Sequence, residues 1–381
     1  MTVKITKEKS LKIKNACQDL LSKELVTIQS LFEVIGLMVA SFPGVQYGQL
    51  FYRQCDNLKN KKIKENNGYL GALVTLTTEV KEDLAWWVHN IENQQKNIVT
   101  PPPAIEIETD ASNIGWGACV KDQKSKTTGG QWSAKELEEH INYRELLAVW
   151  LGIQCFASNL TNAHIKILSD NTTAVAYVNN QGGTKNKCNA LARQIWTWCY
   201  NHKNWLTAAH IPGSKNVRAD KESRVKNNNM EWELHPQNFQ EICQNFGTPE
   251  IDLFASRLNH KVPKYISWRP DPNAHAVDAL SVNWSNMFFY AFPPFNMIGK
   301  VLQKVELEHC TGIVVVPKWT TQTWWPKYLQ LCTGKYIVLS RKKGRKMLTH
   351  PQRHQSELPK MMLVAGLLSF NNIAQQASRR K

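Results

Sequence analysis

A strand pattern that ends on an aspartate constrains the fold of this chain more than any other feature. In IEIETDASNIGWGACV (residues 105–120), apolar side chains and Thr109 alternate with glutamates up to Asp110. Strict alternation is typical of a β-strand. A second strand-like run, GWGACV, follows closely enough to pair with the first. Asp110 is therefore either a turn former at a strand end or the first ligand of a metal site.

The segment from residue 104 to about 226 extends this pattern with helices. Strand-like and amphipathic runs follow in the order β-β-β-α-β-α-β-α, with HIKILSD (164–170) as a buried strand and WLTAAHIPG (205–213) as the last one. Such an order predicts an α/β domain in which a mixed five-stranded sheet is flanked by helices.

The flanking segments have different periodicities. Apolar residues at spacings of three and four predict helix over residues 9–42, up to Pro43-Gly44, and residues 77–91 predict another helix capped by Thr77 or Thr78. A proline-rich joint at residues 100–103 marks a boundary. We predict four segments: a helical region (1–100), the mixed-sheet domain (101–226), a second, smaller α/β domain (231–340) and a basic tail (341–381).

Charge and composition restrict the partners and the location. The net charge is +16, and residues 335–381 alone hold 11 basic residues and one acidic residue. A polyanionic partner is therefore expected, although a basic tail can also be merely solvated. The chain lacks an apolar signal core and a run long enough for a membrane span, and its nine cysteines include no C-x-x-C pair. These features predict an intracellular protein, in cytoplasm or nucleus, without a membrane partner.

Four acidic residues stand out by their positions. Asp110 and Asp170 end strands, Glu145 lies early in the first long helix, and Asp220 opens the last short helix. Ends of neighbouring strands lie about 5 Å apart, so the carboxylates can converge, and they would then repel unless hard cations neutralise them. Two Mg²⁺ ions could support hydrolysis or transfer at phosphorus. Taken singly, the same residues are typical turn, cap or helix-surface residues.

The segment 104–226 resembles a type 1 ribonuclease H domain of the kind fused to retroelement reverse transcriptases. The matching pieces are TDAS (109–112), NYRELLAV (142–149), LSDNTTAVAYVN (168–179) and HIPGSKNVRAD (210–220). The resemblance implies that Asp110, Glu145, Asp170 and Asp220 hold two Mg²⁺ ions, which Mn²⁺ can replace. It also implies cleavage of the RNA strand of RNA–DNA hybrids.

Two further positions follow from this resemblance. His210 stands ten residues before Asp220, where the family often has a histidine that assists proton movement or product release. Its alternative role is that of a strand-end residue bonded to the backbone. Glu222 stands where related retroelements have leucine, so the packing of the last helix departs from their pattern.

The flanks resemble parts of DIRS-like retrotransposon polyproteins. Residues 31–59 and 83–91 are similar to the thumb and connection region, and residues 248–326 to the methyltransferase-like segment. No Tyr-x-Asp-Asp box occurs, so polymerase activity is not expected and a separate reverse transcriptase chain is a candidate partner. In the loop Phe292-Pro293-Pro294-Phe295, the first residue offers no hydrogen-bond acceptor to a target amine. The missing acceptor predicts that the methyltransferase-like segment is a non-catalytic module.

Candidate nucleic-acid contacts are the basic Arg144, Lys215 and Arg218, with Phe295 as a base-stacking ring. Three other functions compete with the nuclease. They are a non-catalytic nucleic-acid-binding remnant, a DNA adenine methyltransferase, and an integrase of the transposase type with the same fold.

Overall fold

Two five-stranded sheets organise the chain in the computed structural model, which describes residues 1–225, 232–339, 347–349 and 362–370. The helices are α1 (Lys7–Leu21), α2 (Ile28–Val39), α3 (Arg53–Glu65), α4 (Thr78–Asn90), α5 (Ala134–Leu137), α6 (Ile141–Phe156), α7 (Thr172–Asn179), α8 (Asn186–Asn201), α9 (Val217–Ser223), α10 (Pro236–Phe246), α11 (Ile298–Leu307) and α12 (Trp325–Leu331). The strands are β1 (Thr2–Val3), β2 (Leu25–Thr27), β3 (Leu73–Thr75), β4 (Lys96–Asn97), β5 (Ile105–Ala111), β6 (Gly115–Val120), β7 (Thr127–Gln131), β8 (His164–Ser169), β9 (Trp205–His210), β10 (Glu233–Leu234), β11 (Ile251–Asp252), β12 (Ile266–Ser267), β13 (Ala276–Val277), β14 (Phe288–Ala291), β15 (Thr311–Pro317), β16 (Ile337–Leu339), β17 (Leu348–Thr349) and β18 (Leu363–Ser369).

The first sheet has the order β7-β6-β5-β8-β9. Its first three strands pair antiparallel, whereas β8 runs parallel to both β5 and β9. The predicted mixed five-stranded sheet flanked by helices is confirmed. Because β5 and β8 are parallel neighbours, the carboxyl ends of these two strands meet at one edge of the sheet.

Helix α6 is the central helix against this sheet. It begins after His140, whose Nδ1 accepts a hydrogen bond from the backbone N–H of Asn142 at 3.1 Å. Residues 144–153 are all buried, as expected of a helix enclosed on every side. At Gly152 a Cβ atom would lie only 3.2 Å from side chains of β5 and β6, so glycine lets the helix approach the sheet closely.

The helical region differs from the prediction at one place. The helix expected over residues 9–42 is divided into α1 and α2 by strand β2, which pairs antiparallel with β3. Val26 and Thr27 are β-branched and favour an extended backbone, and the Thr27 hydroxyl caps α2 by accepting from Ser30 N–H at 3.1 Å. The predicted cap of α4 is confirmed as Thr77, which accepts from Val80 N–H at 3.4 Å.

One hydrophobic core joins the helical region to the first sheet domain. Its aromatic part includes Phe51 stacked on Trp86, with ring centroids 4.2 Å apart. Across the proline-rich joint, Asp83 is fully buried and forms an ion pair with Arg193 of α8 at 2.7 Å. The joint therefore marks a change of secondary structure and not a break in the core.

The second sheet has the order β11-β14-β15-β18-β16 and two hydrophobic clusters of its own. Strand β18 lies between β15 and β16 and pairs antiparallel with both. The prediction that residues 341–381 are a basic tail is therefore wrong for 362–370, because the apolar run LVAGLL is a buried strand that the charge count concealed. The rest of that tail, apart from residues 347–349, lies outside the described residues. None of the helices in the described ranges has the length and apolarity needed to cross a membrane.

Candidate metal centre

Three of the four predicted carboxylates converge at the edge where β5 and β8 meet. In the strand register Glu108 pairs with Leu168, and Asp110 and Asp170 each lie two residues further on. Helix α6 crosses this edge and contributes Glu145. Each of the three carboxylates offers an oxygen within 4.8 Å of the other two. The first turns of α6 and two adjacent strand ends thus build one acidic site.

Two oxygen atoms of this site lack internal partners. Asp110 Oδ2 and Glu145 Oε2 are both buried, and neither has a hydrogen-bond partner in the described part of the chain. Buried polar atoms are normally paired, so two orphan carboxylate oxygens at one place need an explanation. A hard divalent cation with oxygen ligands supplies it, because one ion satisfies both atoms and neutralises their charge. The donor set therefore fits Mg²⁺ or a similar ion.

The electrostatics support the same conclusion. Burial, reinforced by the charges of Asp110 and Asp170, raises the pKa of Glu145 to about 9. Burial also raises the pKa of Asp110, a hydrogen bond from Ser223 opposes this, and the charges of Asp170 and Asp220 raise the pKa further. Without a cation, the site is thus poorly suited to holding several ionised carboxylates.

The surroundings of Asp170 are shaped by small and polar residues. A Cβ atom added to Gly213 would lie 3.1 Å from Asp170 Oδ2, so the turn after β9 passes directly beside this carboxylate. On its other side, Asn171 caps α7 by accepting from Ala174 N–H at 2.9 Å. Its amide donates to Asn142 at the start of α6 at 3.1 Å, which links the helix starts that flank the site.

Asp220 does not join the three-carboxylate group. It lies on α9, about 40% exposed, and its carboxylate forms an ion pair with Arg224 at 2.6 Å. The charge of Asp220 nevertheless raises the pKa of Asp110, which places the two carboxylates within electrostatic reach. The predicted fourth ligand is therefore beside the centre with its carboxylate engaged elsewhere.

Several residues that position α9 were missed by the sequence reasoning. Asn216 is fully buried and donates to the carbonyl of Thr109 at 3.0 Å, and Ser112 Oγ donates to the carbonyl of Ser223 at 2.7 Å. Both bonds tie α9 to the strand that carries Asp110. Neither residue stands out in the sequence. Asn216 is a polar residue just before a helix, and Ser112 is a serine just after TDA, so their role in positioning α9 is visible only in the fold.

His210 is exposed at the end of β9 and pairs in strand register with Ser169, the residue before Asp170. The histidine thus lies at the rim of the carboxylate edge. Whether its role is proton movement or strand termination stays a prediction.

The structure corrects one basic candidate. Arg144 is buried, and its guanidinium donates to the carbonyl of Ser112 at 3.0 Å and to Asn113 Oδ1 at 3.1 Å. It therefore fastens the turn after β5 and is not available to a nucleic acid. Arg218 also donates to backbone carbonyls, at Val120 and Gln123. Lys215 is exposed in the turn before α9.

Phe295 lies far along the chain, in the turn after β14. Its half-buried ring contacts Trp319 edge-on, with centroids 5.2 Å apart, and packs against the second core. The base-stacking role predicted for this ring stays a prediction.

The sheet order, the parallel pairing of β5 with β8 and the helix-borne Glu145 define a ribonuclease H-like domain. In agreement with this class, residues 101–199 match the sequence profile of the family described as "RNase H-like domain found in reverse transcriptase". Residues 101–199 are thus similar to the ribonuclease H-like segment found in reverse transcriptases.

Two viral polyproteins are similar to part of this chain. The enzymatic polyprotein of Carnation etched ring virus is 30% identical over 165 residues, which cover 38% of this chain and 24% of the relative. That of Cauliflower mosaic virus (strain D/H) is 30% identical over 176 residues, covering 40% of this chain and 26% of the relative. The chain spans about a quarter of the length of these relatives.

Two solved structures show weaker likeness. LC11-RNase H1 from compost, in complex with an RNA/DNA hybrid, is 23% identical with a TM-score of 0.26, covering 31% of this chain and 91% of that one. The foamy virus protease-reverse transcriptase, in complex with an RNA/DNA hybrid, is 14% identical with a TM-score of 0.22, covering 58% of this chain and 28% of that one.

Proposed function

We propose that the chain is a Mg²⁺-dependent nuclease that hydrolyses the RNA strand of RNA–DNA hybrids. The observation that carries this proposal is the convergence of Asp110, Glu145 and Asp170, with two buried oxygens that lack partners. The family matched by residues 101–199 and the net charge of +16 support a nucleic-acid substrate.

Each residue of the site would have a distinct role in this reaction. Asp110, Glu145 and Asp170 would hold the ions, with Asp220 joining after release from Arg224. Two bound ions would activate the attacking water and stabilise the leaving oxygen of the phosphodiester. His210, exposed at the rim, would carry protons between the site and solvent. Lys215 would contact the phosphate backbone without reading sequence.

Hybrid specificity would come from shape. Ribonucleotides next to the cut are distinguished from deoxyribonucleotides by their 2′-hydroxyl groups. The DIRS-like origin, a methyltransferase-like but non-catalytic second domain, a separate reverse transcriptase partner and an intracellular location stay predictions beside this one.

The test is cleavage of an end-labelled RNA–DNA hybrid by the full chain with Mg²⁺, compared with single-stranded RNA, duplex RNA and duplex DNA. Asp110→Asn removes a proposed ligand. Glu138→Gln, on an exposed surface residue, is the matched control. We expect cutting of the RNA strand of the hybrid alone, by the wild type and the control but not by Asp110→Asn. Equal cutting by Asp110→Asn would refute the assigned site.

A non-catalytic nucleic-acid-binding remnant is the second candidate, because the carboxylate of Asp220 is held by Arg224 away from the cluster. This reading predicts hybrid binding without cleavage under every divalent ion tested. If Arg224→Ala then restores cutting, the ion pair is a block on an otherwise competent site. If it does not, the remnant interpretation stands.

A further inference from the structure

The second sheet domain contacts the metal-centre domain through residues 256–273, which we call the bracing loop. Arg257 at its start forms a two-pronged ion pair with Glu136, with N–O distances of 2.9 and 3.0 Å, and donates to the carbonyl of Gln131 at 2.9 Å. Near its end, the carbonyl of Pro270 accepts a hydrogen bond from the Thr128 hydroxyl. The bracing loop is thus fastened to β7 and to the short helix α5.

A third contact of the bracing loop reaches α9, the helix that carries Asp220. Arg269 donates to Glu222 Oε2 at 3.1 Å, and the two side chains are only 17% and 20% exposed. Glu222 is the last acidic residue of α9, two positions after Asp220. A carboxylate at this position would be unfavourable in a packed interface without a cation, and the bracing loop supplies one. Arg269 therefore neutralises the charge of Glu222 in this interface.

Helix α9 depends on such contacts for its position. It has seven residues and no side-chain cap at its start, and isolated helices of this length are unstable in water. Its inner face lies so close to β6 that a Cβ atom on Gly117 would be 2.1 Å from the carbonyl of Ala219. The Cβ atom of Glu222 lies against the same strands, near Gly117 and Gly129. The sheet thus fixes how deep α9 sits, and the ion pair with Arg269 holds this edge of the helix to the bracing loop.

We propose that Arg269 is a positioning residue for the metal centre, because through Glu222 it holds α9, the helix that carries Asp220, against the strands beside Asp110. The proposal rests on the proposed function as a metal-dependent nuclease. It assigns the second domain a role in the first: the bracing loop completes the packing of the helix that carries the fourth carboxylate.

The test measures Mn²⁺ binding to the full chain by electron paramagnetic resonance of the free ion, without substrate. Arg269→Ala removes the contact to α9, and Glu222→Gln removes the negative charge that makes it an ion pair. Arg257→Ala is the matched control, since it breaks the other ion pair of the same loop and leaves α9 untouched. Arg269→Lys should restore binding, because the contact uses a single guanidinium nitrogen. Thermal unfolding of each variant reports whether it folds.

We expect Arg269→Ala and Glu222→Gln to lower the Mn²⁺ affinity of the lower-affinity ion site about two- to fivefold, the upper part of the range for loss of one ion pair. Arg257→Ala should change it less than twofold, and Arg269→Lys should regain most of the affinity. Cleavage should follow with a raised Mg²⁺ requirement that excess Mg²⁺ overcomes.

Three results would overturn the proposal in distinguishable ways. If the wild type binds Mn²⁺ and cuts hybrid but Arg269→Ala and Glu222→Gln bind as tightly, the positioning role is wrong and the nuclease stands. If Arg257→Ala weakens binding equally, the loop acts by general docking and not through Glu222. If the wild type neither binds Mn²⁺ nor cuts, the proposed function fails and the positioning role with it.

Discussion

Replacing Glu145 by glutamine should stabilise the metal-free protein at neutral pH. The pKa of this carboxyl is raised from 4.5 to about 9 in the folded chain, first by burial and then by the charges of Asp110 and Asp170. The folded state thus keeps a proton that the unfolded chain releases near pH 4.5, so stability falls as pH rises through this window. From pH 4.5 to 7 the loss reaches about 3 kcal/mol, at about 1.4 kcal/mol per pKa unit.

Glutamine does not ionise in the folded or the unfolded state, so the stability of the variant does not fall with pH for this reason. We expect Glu145→Gln to exceed the wild type by up to about 3 kcal/mol at pH 7 in a chelator, and by little at pH 4.5. Mg²⁺ should stabilise the wild type more than the variant, since only the wild type keeps the full ligand set. The assay is urea unfolding at several pH values, with Glu138→Gln as the control. A variant that is less stable at pH 7, or equally altered at both pH values, would refute the reasoning.

Four further substitutions test other parts of the structure. Arg193→Met leaves Asp83 buried without its cationic partner and should lower the free energy of unfolding in urea by about 3–5 kcal/mol at pH 8. Burial raises the pKa of Asp83 to about 6, although the charge of Arg193 opposes this. The loss should be smaller at pH 5, because Asp83 then takes up a proton. Gly117→Ala places a Cβ atom against α9 and should destabilise by about 1–3 kcal/mol, with loss of hybrid cleavage; an unchanged midpoint and rate would contradict the close approach. Lys215→Ala should lower the salt dependence of hybrid binding by a slope of about 1, whereas Arg144→Ala should lower the unfolding midpoint and leave that slope unchanged.

The first sheet domain was predictable because its signals are local. Alternation in β5, the buried run of β8 and an aspartate at each strand end suffice to place Asp110 and Asp170 at one edge once the strands are parallel neighbours. Glu145 was found through its place early in α6. Its neighbour Arg144 was misread as a surface cation, since burial on every side of α6 depends on helices distant in sequence.

The rest required the tertiary structure. The division of the first helix at β2 depends on pairing with β3, about 50 residues away, and a spacing of three to four apolar residues does not reveal it. Strand β18 was hidden in a basic segment, because net charge over a window conceals a short apolar run. The ion pair between Glu222 and Arg269 joins two domains, so no local sequence pattern predicts it.

The most direct test of the account is the position of bound metal in crystals of the full chain soaked with Mn²⁺, measured by anomalous diffraction. The account predicts a peak between Asp110, Glu145 and Asp170, about 2.1 Å from an oxygen of each, and no such peak in Asp110→Asn. Manganese bound elsewhere, with these three carboxylates uncoordinated, would contradict it.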